Sequence, residues 1–199
     1  MLAMRSRPAS LLCALLLASA GTLVVVGRMA IASPQDTSAM PGASAVVKPH
    51  AYVSLDPVPR GSEFQVAVVV DIARGFHMNS HKPTDTYLIP TTITPQLPAG
   101  MQLGEAIYPS GRLQKFSFSP TKPLDVYTGS VALRLRLSAR DDAPLGPTTI
   151  PVTLRYQACN DAACLPPVRV PVTVLLQVAA TGTKPRVVHP EIFQATSSR

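Results

Sequence analysis

Residues 130–137 read Ser-Val-Ala-Leu-Arg-Leu-Arg-Leu, with an aliphatic side chain at every second position from Val131 and arginines at 134 and 136 between them. A period of two puts Val131, Leu133, Leu135 and Leu137 on one face and Arg134 and Arg136 on the other, as in a strand lying over a core. A helix would scatter the same leucines around its circumference. Working outward, residues 64–72 (FQVAVVVDI) form a β-branched run with Phe64, Val66, Val68 and Val70 on one face. Shorter candidate strands at 91–97 and 101–107 are divided by Pro98-Ala99-Gly100, a turn signal. Runs at 148–156 and 168–178 complete the set.

The chain of 199 residues carries 21 prolines. Proline is tolerated at strand edges, strand starts and turns but not in helix interiors, so this load fits a β protein. Several short strands separated by turn signals predict an all-β fold, an immunoglobulin-like β-sandwich, over residues 51–179. Residues 33–50, rich in Ser, Ala, Pro and Gly in their first part, read as a flexible N-terminal segment. Residues 180–199 read as a polar, Pro-containing tail, disordered in part or loosely docked.

Residues 1–32 form a targeting segment. Arg5 and Arg7 make a basic start, residues 11–27 an apolar or small-residue run, and Ala30-Ile31-Ala32 a small-x-small cleavage pattern. Cleavage after Ala32 would leave a chain beginning at Ser33; an uncleaved N-terminal anchor is the rival reading. Either way the domain is expected outside the cytoplasm, in a periplasmic or similar compartment. The formal charge of +7 is partly the leader's, because Arg5, Arg7 and Arg28 belong to it; 15 basic against 11 acidic residues leave +4. The remaining Lys and Arg are scattered, without the basic runs or interleaved aromatics of a nucleic-acid binder, and no nucleic-acid partner is expected.

Export changes the reading of the cysteines. With Cys13 in the leader, Cys159 and Cys164 remain, and a pair five positions apart in an oxidising compartment is expected to be bonded to itself. Two β runs converge on them, and Asn160 and Asp161 between them are turn formers. Closing so short a loop removes only about 2 kcal/mol of denatured-state entropy. On physics alone a structural staple and a redox pair stand level.

The motif Tyr156-Gln157-Ala158-Cys159, a spacer containing Asp161, and Cys164-Leu165-Pro166-Pro167 resembles the N-terminal periplasmic domain of the thiol:disulfide interchange protein DsbD. Gly75-Phe76-His77-Met78-Asn79 and Leu88-Ile89-Pro90 resemble that family's segments upstream. Tyr108-Pro109, Lys115-Phe116-Ser117-Phe118-Ser119 and Val126-Tyr127-Thr128-Gly129 fall where the family places its cap region. The likeness covers roughly residues 51–178. Two departures stand out: some members have one more residue between the cysteines, and their cap reads differently.

The resemblance implies an immunoglobulin-like fold and a thiol:disulfide oxidoreductase of the protein-disulfide reductase type. Its only redox group would be the Cys159–Cys164 disulfide, with no cofactor, and its partners thioredoxin-like periplasmic proteins or domains. It also implies that Cys164, before x-Pro-Pro, joins the partner while Cys159 resolves the mixed disulfide. These 199 residues include neither the family's membrane domain nor its thioredoxin-like domain, so electrons would come from another polypeptide, such as a membrane electron carrier. Tyr156 and Gln157 could orient the sulfurs or simply pack, Asp161 could tune a thiol or only make the turn, and Phe116 and Phe118 could form a shielding cap or ordinary core.

The alternative function is an extracytoplasmic β-sandwich binding module with a purely structural disulfide; a third reading makes the pair regulatory in a partner-docking subunit. His77-Met78-Asn79-Ser80-His81 holds residue types that bind copper or zinc. It reads as strand and loop, however, and no metal is assigned to it. His50 and His189 read as surface residues. Neither a phosphate-binding Gly-rich loop nor a Ser-His-Asp arrangement is present.

Overall fold

The computed structural model describes residues 41–194. The leader with its cleavage site, Cys13 and residues 33–40 lie outside the described residues, as do 195–199. Among the described residues no helix is long and apolar enough to cross a membrane.

In chain order the strands are β1 (Val47–Val53), β2 (Leu55–Asp56), β3 (Val58–Pro59), β4 (Glu63–Ile72), β5 (His77–Asn79), β6 (Thr92–Pro95) and β7 (Met101–Ile107). They continue with β8 (Arg112–Phe116), β9 (Ser119–Tyr127), β10 (Ser130–Ala139), β11 (Gly146–Tyr156), β12 (Ala158–Cys159), β13 (Val168–Ala179) and β14 (Arg186–Val187). A 3-10 turn at Ala43–Ala45 precedes them, and a short helix, α1 (Pro190–Phe193), follows.

Two four-stranded sheets make the sandwich, ordered β1-β4-β10-β7 and β3-β13-β11-β6. The alternating run forms β10, antiparallel to β4, with Leu133 opposite Val68, Leu135 opposite Val66 and Leu137 opposite Phe64. Across the interior, Val152 pairs with Val172 and Ile150 with Val174 on β11 and β13. These side chains belong to one buried cluster, and that shared core joins the two sheets. The all-β immunoglobulin-like sandwich is therefore the fold, reached through the side-chain alternation that marked it in the sequence.

Three features go beyond the expectation. Strand β1 begins at Val47, inside the segment read as flexible, and pairs along its whole length with β4. Its signal is hidden by Pro49, which an edge strand can accommodate. The described part of the tail is docked: Arg186 and Val187 pair with Asp56 and Leu55, and Arg134 Nη1 donates to the Phe193 carbonyl at 2.9 Å. Finally, a third sheet, ordered β12-β5-β9-β8, stands at the end of the sandwich where the cysteines lie. Pro120 and Pro123 break the strand pattern of β9, and the first four residues of β8 are exposed, so no apolar alternation announces this sheet.

Candidate redox site

β11 and β13 pair from Gly146 opposite Val178 up to Tyr156 opposite Val168, and the cysteine segment is the loop that joins them. The chain leaving β11 crosses into the third sheet as β12, where Ala158 pairs with Met78 and Cys159 with His77. It then turns back on itself. Asn160 N–H donates to Ala163 O at 3.0 Å, and Leu165 N–H donates to Ala158 O at 2.8 Å. Asn160 Oδ1 accepts the amides of Ala162 and Ala163, each at 2.9 Å, so the turn residue holds the loop with its own side chain.

Between those two backbone links Cys159 and Cys164 face each other as a bridge and form a disulfide with Cα atoms 3.9 Å apart. This is closer than the usual ~4.4–6.8 Å of disulfides. The position favours a short separation, because cross-strand pairs without mutual hydrogen bonds are the close ones in an antiparallel ladder.

The two cysteines have unequal surroundings. Cys159 is 1% exposed, whereas Cys164 lies on the exposed side of the hairpin. Directly across β5 from Cys159 is His77, 3% exposed. Residues opposite one another share a face, so Cys164, Cys159 and His77 form a row across three chain segments that runs from solvent inward.

Alternation divides the small sheet into two faces. Met78, Ala158 and Tyr127 join the main core. The opposite face carries Cys159, His77 and Asn79 beside a second small cluster of Leu88, Phe116, Leu124 and Val126. Phe116 is buried there and stacks on His77, ring centroids 4.0 Å apart, and Phe118, partly exposed, stacks on Phe116 at 5.4 Å. At the turn between β8 and β9, Ser117 Oγ donates to the Asp161 carbonyl, which ties this aromatic hairpin to the tip of the cysteine loop. Phe116 packs in this small core and covers one face of the His77 ring, the neighbour of Cys159 in the strand register.

The other predicted residues separate. Gln157 joins the site's framework: Asn79 Nδ2 donates to its Oε1 and its Nε2 donates to Leu165 O, both at 3.3 Å. Tyr156 faces the sandwich core and its hydroxyl donates to Ala43 O at 2.9 Å. Burial pushes that phenol up to about 12, so it stays protonated and anchors the N-terminal turn. Asp161 is exposed at the loop tip, and its charge reaches His77. His77 and His81 take different partners, since His81 stacks on Tyr108 at 3.6 Å with Nδ1 3.1 Å from Thr91 O.

His77 is the site residue that sequence reasoning missed. Burial lowers its imidazole from 6.5 to about 4, against the opposing pull of Asp161, so the ring is neutral near pH 7. Its Nε2 is buried and has no hydrogen-bond partner among the described residues. Met78 between His77 and Asn79 is the one available signal, an apolar residue flanked by two polar ones in a strand-length stretch. Gly75 sets the strand's entry. Its φ of +82° is closed to most side chains, and nothing lies within 4 Å of where its Cβ would sit, so the demand there is conformational.

A β-sandwich with a half-exposed cross-strand cysteine pair at one end, backed by a buried imidazole and flanked by an aromatic hairpin, defines the class: an immunoglobulin-like domain organised around a disulfide. The chain belongs to the family described as thiol:disulfide interchange protein DsbD, N-terminal, which it matches over residues 43–176. The match opens ahead of residue 51 and takes in the 3-10 turn and β1. Among solved structures it is similar to the N-terminal periplasmic domain of ScsB from Proteus mirabilis, with 15% identity, a TM-score of 0.42, and coverage of 64% of this chain and 46% of that one. It therefore spans less than half of that solved chain. No curated protein sequence matches it.

Proposed function

We propose that this domain relays electrons by thiol–disulfide exchange through Cys159 and Cys164, with thioredoxin-like proteins as its partners outside the cytoplasm. The observation that carries the reading is the asymmetry of the pair, one cysteine exposed on a hairpin and the other buried behind it. Exchange requires an incoming thiolate to reach one sulfur in line and a second thiol held close enough to resolve the mixed disulfide. Cys164 meets the first need and Cys159 the second. Membership of the DsbD N-terminal family supports the same assignment. A staple has no use for such an inequality and stabilises little across so short a loop.

Gln157 and Asn79 hold the strands on either side of Cys159, while Phe118 and Phe116 shield the pair's flank until a partner displaces the hairpin. Electrons enter from a thioredoxin-like donor and leave to a thioredoxin-like acceptor.

Trapping tests this reading. Cys159→Ser should accumulate a mixed disulfide through Cys164 with a thioredoxin-like protein, because the resolving thiol is gone, and Cys164→Ser should trap little. Equal trapping would refute the division of roles. Trapping by neither variant would favour a binding module with a structural disulfide.

A further inference from the structure

His77 is a buried polar group that the exchange reading leaves without work. Its Nε2 has no partner among the described residues, yet the ring is 3% exposed and pinned against Phe116. An unpaired buried donor or acceptor costs about 1–3 kcal/mol, and native proteins contain few of them. The cross-strand register offers this one a partner: Cys159 is directly opposite, with Cβ atoms roughly 5 Å apart in such a pair. In the oxidised protein the Cys159 sulfur is a neutral disulfide atom and a poor acceptor. As a thiolate it is a strong one.

We propose that the neutral imidazole of His77 donates a hydrogen bond to Cys159 when that sulfur is a thiolate, which makes His77 the residue that readies the resolving cysteine. The inference rests on the exchange reading above and gives that site its hydrogen-bond donor. A neutral ring suits this role, since it can donate an N–H without first being protonated, and burial keeps it neutral near pH 7 while the disulfide is closed. The charged groups facing the ring's cleft are Asp161 from the cysteine loop and Arg74 from the turn before β5. Phe116 closes one face of the ring and fixes its plane.

When the reduced domain meets an oxidised thioredoxin-like partner, the Cys164 thiolate attacks one sulfur of the partner's disulfide. That bond breaks, a mixed disulfide forms, and the partner's other sulfur leaves as a thiolate and takes up a proton. Cys159 releases its proton to water, and His77 N–H stabilises the thiolate that remains. This thiolate attacks Cys164 Sγ, the Cys159–Cys164 bond forms, and the partner's first sulfur departs as a thiolate. The domain has lost two electrons and the partner has gained them.

The test uses the full chain carrying Cys164→Ser, in which Cys159 titrates alone, followed by thiolate ultraviolet absorbance across pH. Adding His77→Phe keeps the stacked ring but removes the donor, and should raise the thiol pKa by about one unit, a tenfold smaller thiolate fraction near neutrality. His77→Gln, which retains a side-chain N–H, should recover part of that shift. Imidazole nitrogen NMR of the unmutated histidine provides a readout that needs no change at residue 77, and its N–H resonance should move along the Cys159 titration curve. A thiol pKa unchanged by His77→Phe, or an imidazole resonance indifferent to that titration, would overturn the proposal. Failure of both single-cysteine variants to trap a partner would instead defeat the exchange reading, and the thiol titration would still be readable.

Discussion

In the two large sheets the inward positions are mostly aliphatic: Val66, Leu135, Ile150 and Val174 are all buried, and what each of these side chains needs is another apolar surface. The small sheet also has two covered faces, but one of them holds His77, Asn79 and Cys159 beside only four buried apolar residues. Nε2 of His77 and Oδ1 of Asn79 are buried there with no partner among the described residues. The contrast separates stability from reactivity. Hydrophobic burial in the frame is the same whatever the redox state, whereas polar groups beside the sulfurs can gain partners when the sulfur changes its charge.

The largest effect expected from this contrast is in the frame. Leu135→Ala removes a fully buried side chain opposite Val66 and should cost about 2–5 kcal/mol in urea unfolding. Leu175→Ala, on the exposed face of β13, should stay within about 0.5 kcal/mol. A core truncation that left stability unchanged would remove the distinction between frame and site.

The next effect is in the small sheet and depends on pH. The folded protein holds His77 neutral down to about 4, against an ordinary 6.5, so the unfolded chain binds a proton that the folded one resists. Stability from this group is complete above pH 6.5 and is lost as pH falls through the window to about 4, amounting to roughly 1–3 kcal/mol. Denaturant titrations at several pH values should show that slope, and His77→Phe should flatten it.

A smaller effect separates the two tyrosine readings open in the sequence. Tyr156→Phe removes the hydroxyl bond to Ala43 O and should cost about 1 kcal/mol while leaving the exchange rate unchanged. A slower exchange at unchanged stability would return Tyr156 to the site. Smallest in energy is the cap. Phe118→Ala removes a partly exposed ring without opening the small core, and should speed reduction by a small dithiol severalfold while the melting curve stays in place. An unchanged rate would leave the hairpin without a shielding role.

These regions were unequally legible in the sequence. The frame showed itself because aliphatics at period two, as in 130–137 and 64–72, line one face of a strand and would form no continuous face on a helix. The cysteine pair was legible as a bond, and its family motif pointed to exchange. The unequal burial of the two cysteines was legible in direction, since Cys159 ends a long β run and Cys164 leaves the turn toward Pro166 and Pro167. The third sheet that buries Cys159 was not, because its strands carry prolines and exposed polar side chains. For the same reason His77 had no assigned role in the sequence: its meaning comes from Cys159, which arrives from 82 positions away through the strand register.

The most direct test of the account is the reduction potential of the Cys159–Cys164 disulfide, measured by equilibrating the full chain with a thioredoxin-like protein of known potential and quantifying free thiols. The account predicts a measurable mixture of oxidised and reduced forms on both proteins, reached from either direction. A disulfide that stays closed against that partner, with a potential below about −300 mV, would mark a structural bond and contradict the account.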